Sequence, residues 1–304
     1  MTDGALVQVA FYGGYFAMAL PAALFIRRFS YKSGLLLGLG LYAFGSLMFI
    51  PAKATGSYYP FLIAYFILTC GLSFLETSAN PYILSMGDQK SATRRLNLAQ
   101  AFNPIGSLLG MYVAMHFIQS RMSPLSTLER AGLPEAEFEA LKQSDLSVIV
   151  GPYAILGFVL VAIFVAMMFV KMPSGESEPV GDTSLRATCK RLFANVRYRE
   201  GVIAQFFYVG VQIMCWTFII QYGTRIFMAE GMAEQAAEVL SQKYNMVAMC
   251  LFCCSRFICT YLLRFINPGR LLSTLAIVAS VLLCVVVFTG GRMGLYCLVA
   301  VSAC

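Results

Sequence analysis

One carboxylate, Glu76, stands in the run "GLSFLETSANPYILSMG" at residues 71–87, with five uncharged residues before it and eleven after it. An acid at the centre of an apolar helix costs about 3 kcal/mol to insert into a bilayer, so such groups face a cavity and serve ion or proton pathways, or are held by a neighbouring helix. Asn80 follows four residues on and shares the helical face of Glu76. Pro81 removes one backbone donor, and the carbonyl it leaves must be satisfied inside a bundle. A second polar group lies in "RRLNLAQAFNPIGSLLG", where Asn97, Gln100 and Asn103 fall three residues apart and predict one stripe over two turns. Amides donate and accept at once, as sugar hydroxyls do, and suit a sugar better than an inorganic anion or a lipid tail. The same amides could instead bond helix to helix, at roughly 1 kcal/mol each. In "AQFFYVGVQIMCWTFIIQY", Gln205, Tyr208, Gln212 and Trp216 occupy one face. Rings there can stack on the apolar side of a pyranose while Gln212 takes its hydroxyls, and the spacing suits plain packing equally well.

Other residue types point away from catalysis. There is no Ser/His/Asp set, no HExxH and no paired-carboxylate geometry, so an enzyme is not expected. His116, the one histidine, reads as a packed or lipid-interface residue rather than a proton carrier. Cys250, Cys253 and Cys254 have no local histidine or carboxylate and read as small apolar packing residues, so no metal and no cofactor is expected. "GLLLGLGLYAFG" has no strand before it and lacks GxGxxG spacing, which excludes a nucleotide loop. The GxxxG pairs Gly34/Gly38 and Gly106/Gly110 predict close helix contacts.

The elements that must position these residues are membrane helices. Of 304 residues 59% are hydrophobic and 12% charged, where a soluble chain carries roughly 25% charged residues. Runs of about 20 apolar residues recur, so the expected fold class is all-α, a polytopic membrane protein. Spans are predicted at 5–27, 33–53, 59–86, 95–120, 148–171, 199–226, 238–264 and 270–290, with a ninth, truncated one from near 294. Both ends of the chain read as cut, and no basic leader precedes the first span. Assigning alternate connections to opposite sides places fourteen basic residues on one side and seven on the other, with Arg256 inside a span and uncounted. The richer side is cytoplasmic by the positive-inside bias, which also accounts for the net charge of +7 without nucleic acid. The stretch 172–198 predicts a basic cytoplasmic linker between an N-terminal bundle at 1–171 and a C-terminal bundle at 199–304. Its segment "LRATCKRLFANVRYR" is either solvated or laid on anionic lipid.

These stretches, from "FYGGYFAMALPAALFIRRFSYKSG" to "GGRMGLYCLVAVSAC", resemble the major facilitator superfamily and, within it, the fucose:proton symporter group. "ETSANPYI" and "RRLNLAQAFNPIG" resemble that group and its glucose/galactose members alike, whereas "AQFFYVGVQIMCW" resembles the fucose branch. The resemblance implies two six-helix bundles, major facilitator-like, of which this chain supplies helices two to nine and the start of ten. The first helix and the last ones are then missing. It implies a proton-coupling role for Glu76, matching the group's fourth-helix Glu, with the partner Asp on the absent first helix. Gln100 and Asn103 match amides lining the family's central cavity, Asn80 a position of its motif, and Trp216 an aromatic residue of its second bundle. "RRFSYKSG" lacks the acid usual in the superfamily's loop at that point. The implied function is secondary active, proton-coupled uptake of L-fucose or a close monosaccharide by alternating access. The implied setting is a monomer in a bacterial inner membrane, with sugar, proton and membrane lipid as partners. Glucose or galactose uptake, or a sugar sensor that moves nothing, are the rival readings.

Overall fold

Apolar runs long enough to span hydrocarbon must satisfy their backbone internally, and helix is the local solution. The computed structural model describes residues 2–123, 125, 129–130, 132–172 and 185–304. Its helices are α1 (Thr2–Arg28), α2 (Tyr31–Leu47), α3 (Phe49–Thr55), α4 (Tyr58–Ser85), α5 (Ala92–Gln100), α6 (Asn103–Val113), α7 (Glu135–Phe169), α8 (Leu185–Ala194), α9 (Val196–Ala229), α10 (Glu234–Leu262), α11 (Pro268–Thr289) and α12 (Gly291–Val301). No strand occurs among the described residues. Eight stretches are long and apolar enough to cross a membrane, and α12 is a shorter apolar helix where the ninth span was expected.

Three local departures from the expected spans have physical causes. The fourth expected span, 95–120, is broken after Gln100, because Pro104 cannot donate to the Gln100 carbonyl four residues back. Ala101 and Phe102 form a tight turn in its place, donating to the carbonyls of Leu98 and Ala99 at 3.1 and 3.3 Å. The segment ends in a π-helical turn at Ala114–Gln119, where His116 stacks on Tyr112 at 4.2 Å. Helix α7 starts at Glu135 rather than near 148, since "EAEFEALKQSD" is built of good helix formers and continues the membrane helix into polar surroundings.

By contact the chain forms two units, one of residues 1–92 and 112–175, the other of 93–111 and 176–304. In the first, α4 packs between α1 and α2, and α2 also packs on α7. Glycine makes the α2–α4 approach possible: a Cβ at Gly45 would lie 2.5 Å from the Leu68 nitrogen, and one at Gly38 would lie 2.9 Å from that of Leu75. Gly34 abuts Ser78 in the same seam. The Gly106/Gly110 pair departs from its expectation, for a Cβ at either meets nothing within 4 Å. Phe49 stacks on Tyr153 at 4.1 Å, and Lys32 donates to the Met168 and Val170 carbonyls at 2.9 and 2.8 Å, capping α7. Buried Asp145 binds Arg130 at 2.8 Å and the Ser123 N–H at 3.0 Å, which ties the described part of the connection before α7 onto that helix.

In the second unit Ile219, Phe227, Ala237, Ala248 and Leu295 form the core of α9, α10 and α12, while α11 lies along α12. Arg292 grips Glu230 through both carboxylate oxygens, at 2.8 and 2.6 Å, joining the end of α9 to the start of α12. The sequence reading placed 93–111 in the first bundle, and by contact it belongs with α10, through bonds described below. Of the expected linker at 172–198, residues 173–184 lie outside the described residues, and 185–194 form the basic helix α8.

Two outcomes test this packing. Gly45→Leu should lower the melting temperature in detergent by several degrees, since backbone stands where its side chain must go, while Gly106→Ala should leave it unchanged or raise it slightly. The Arg292 bond holds the Glu230 carboxyl below the ordinary glutamate range. Its contribution is therefore complete above that range and is lost as pH falls through the lowered value. A melting curve against pH should show this acid-side loss in the wild type and not in Glu230→Gln.

Candidate functional site

The site residues are carried by two polar arrays, one in each unit. In the first unit α4 presents Thr69, Ser73, Glu76 and Asn80 at spacings of four, three and four, a single helical face. That face is stitched to α1. Ser73 donates to the Tyr15 carbonyl at 3.2 Å, and Gly14 lets α1 come against Thr69, whose hydroxyl donates within α4 to the Phe66 carbonyl at 2.8 Å. One turn on, the Tyr15 hydroxyl donates to Glu76 Oε1 at 3.3 Å. Glu76 is not buried within its unit; its carboxylate is held on one side by Tyr15 and is accessible on the other. Asn80 is half-buried one turn further, and α4 continues through Pro81 to Ser85.

In the second unit the break after Gln100 sets the geometry. Asn97 and Gln100 close α5 and turn their amides toward α10. Arg256 donates to Gln100 Oε1 at 3.2 Å and to Asn97 Oδ1 at 3.5 Å. Asn97 donates in return to the Thr260 hydroxyl at 2.8 Å and to the Arg256 carbonyl at 3.2 Å. The guanidinium lies over the Phe252 ring, 4.9 Å from its centroid, and Phe252 meets Trp216 of α9 edge to face at 5.4 Å. Gln100, Arg256, Phe252 and Trp216 thus form one continuous wall, two donors followed by two rings. Its far end carries an unanswered donor: the Trp216 indole N–H is buried and without a hydrogen-bond partner among the described residues. Arg256 forms no ion pair among the described residues, so its charge is held by neutral amides and a ring.

The predicted stripe of Asn97, Gln100 and Asn103 is therefore two stretches. Asn103 opens α6 beyond the break, is exposed, and stands outside the Arg256 network. Gln212 is half-buried one turn before Trp216 on α9. Sequence reasoning missed Tyr15, Phe252 and Arg256. Arg256 had the signal that singled out Glu76, a charge inside an apolar span. The two rings had none, as aromatic residues abound in this chain.

An array of amide and indole donors with a guanidinium and open ring faces matches a small polyhydroxylated molecule, whose hydroxyls need donors and acceptors while its C–H face needs an apolar surface. An accessible carboxylate with a phenol partner can take up and release a proton. The eight helices long and apolar enough to span a membrane that carry these groups define a polytopic helical membrane protein. The chain belongs to the Major Facilitator Superfamily, whose family model matches residues 2–304. It is 47% identical over 309 residues to the L-fucose-proton symporter of Haemophilus influenzae, covering 99% of this chain and 70% of that protein. To the L-fucose-proton symporter of Escherichia coli it is 33% identical over 303 residues, covering 98% and 67%. Its fold superposes on a crystal structure of the E. coli fucose:proton symporter with a TM-score of 0.88 at 32% identity, covering all of this chain and 73% of that one.

Trp216 is the only tryptophan of the chain. A sugar that takes its free N–H should change the intrinsic fluorescence saturably, and Trp216→Phe should abolish the signal and weaken binding roughly tenfold, about one hydrogen bond. A sugar that binds without any change in Trp216 emission would remove this wall from the site.

Proposed function

We propose that this chain is a secondary active transporter that couples the uptake of L-fucose, or a closely related monosaccharide, to protons by alternating access. The carrying observation is Glu76, a single acid in an apolar span, accessible and hydrogen-bonded to Tyr15. The 47% identity to a protein named L-fucose-proton symporter supports the substrate and the coupling ion. In this reading the chain is a transporter and not an enzyme, and works as a monomer in the inner membrane of a bacterium. In this reading the bundles are 1–171 and 199–304, with 172–198 as a cytoplasmic linker, and residues 93–111 are the part of the first bundle whose bonds run to α10.

Sugar binds on Gln100, Asn103, Gln212 and Trp216, with Asn80 as a further contact. Arg256 holds the Gln100 oxygen and so directs the amide's two N–H groups outward to accepting hydroxyls. The indole N–H of Trp216 finds its partner on the sugar. Glu76 takes a proton from water on the side to which the protein is open. Closing a carboxylate away from water costs several kcal/mol, whereas the neutral acid carries little of that cost. Occlusion therefore proceeds with Glu76 protonated, and the reverse opening releases sugar and proton together.

In proteoliposomes, Glu76→Gln should still exchange labelled for unlabelled L-fucose but should lose accumulation against a gradient when a proton gradient is imposed. Accumulation by that variant at wild-type level would show that the coupling acid lies elsewhere. Competition by L-fucose, D-glucose and D-galactose in the same vesicles fixes the sugar, with L-fucose expected to compete most strongly. Binding with no flux would favour a sensor.

A further inference from the structure

The geometry points to Tyr15 as a positioning residue for the proton site: its hydroxyl fixes the Glu76 carboxylate and supports its charged form. This rests on the reading of Glu76 as the coupling acid.

The bond from Tyr15 to Glu76 Oε1 joins two helices across 61 residues of sequence. What distinguishes it from a chance contact is how firmly α4 holds the residue that makes it. Ser73 donates to the carbonyl of Tyr15 itself, three residues before Glu76 on the same face of α4. One turn earlier Gly14 brings α1 directly against Thr69 of α4. The ring is lodged by Phe11 at 5.4 Å, and Phe11 stacks in turn on Tyr65 at 5.8 Å. Both the backbone and the ring of Tyr15 are thus pinned to the helix that carries the acid. A hydroxyl so placed is a fixed donor, and fixed donors favour the charged form of a carboxylate.

The same hydroxyl serves the neutral form less well. An ionised carboxylate only accepts, whereas a protonated one has an O–H to place. For the Tyr15 oxygen to accept from that O–H, the phenol proton must turn away from Glu76 and give up its charge-assisted bond, so the pair favours the ionised acid. Other groups around it on the elements packed against α4 leave this bond as the local influence. Tyr42 of α2 is a phenol and brings no charge to the site near neutral pH. Arg27 and Arg28 lie at the end of α1, with Arg27 about 18 Å along the helix from Tyr15. Lys32 of α2 is bonded to the carbonyls of Met168 and Val170.

The test is the pH profile of proton-driven L-fucose uptake in proteoliposomes containing wild-type protein, Tyr15→Phe or Glu76→Gln. Phenylalanine keeps the ring and its packing and removes only the donor. The pH of half-maximal initial rate should move alkaline by about one unit in Tyr15→Phe, because the charged carboxylate has lost a partner. The Glu76 carbonyl stretch, identified in infrared difference spectra by its loss in Glu76→Gln, should titrate with the same displacement in detergent, which needs a folded protein but no transport. A Tyr15→Phe profile and titration that superimpose on the wild type, with Glu76→Gln uncoupled, would overturn the role of Tyr15 alone. Accumulation that persists in Glu76→Gln would overturn the proton site on which it rests.

Discussion

An ionised group placed at the depth of hydrocarbon must be given partners, and the polar architecture of this chain follows from how two such groups are held. Glu76 is held by a phenol from the next helix, and Arg256 by two amides and a ring. Neither has a counter-charge among the described residues, so each keeps capacity for something else. A salt bridge would have spent that capacity, as it does where Arg130 meets Asp145 and where Arg292 meets Glu230. Those two pairs fasten chain segments together, whereas the two neutral-partnered charges are left able to exchange a proton or a hydrogen bond.

The remaining structure serves these placements. Glycines at 34, 38 and 45 bring α2 against α4, and Ser73 bonds α4 to α1 where Gly14 meets Thr69, so that α4 is packed by both neighbours along the length that bears Glu76. In the other unit one missing N–H, at Pro104, ends α5 at Gln100 and frees the amides of Asn97 and Gln100 to meet α10. A continuous helix there would have satisfied its own backbone and left no reason for the chain to turn at residues 101–102.

How far this could be read beforehand varied with the range of the interaction. The spans were legible because hydrocarbon thickness fixes their length, and the type of each helix follows from that. Their ends were less so: α7 runs past the apolar stretch to Glu135, where helix propensity and not hydropathy decides. Glu76 stood out as a candidate by its charge alone. Tyr15 was not, since its bond crosses 61 residues and a tyrosine is unremarkable in such a chain. Arg256 was visible as a charge inside a span and was set aside from the count, and only the fold shows it against Gln100. The two GxxxG pairs look alike in sequence, yet Gly34/Gly38 line a helix contact and Gly106/Gly110 face open space, because spacing permits an approach without requiring a partner.

The central claim is that sugar and proton move together. The most direct measurement is the external pH of lightly buffered proteoliposomes containing the protein when L-fucose is added without any imposed gradient. The account predicts a saturable alkalinisation as protons enter with the sugar, collapsed by a protonophore. L-fucose entry with no change in external pH would contradict it.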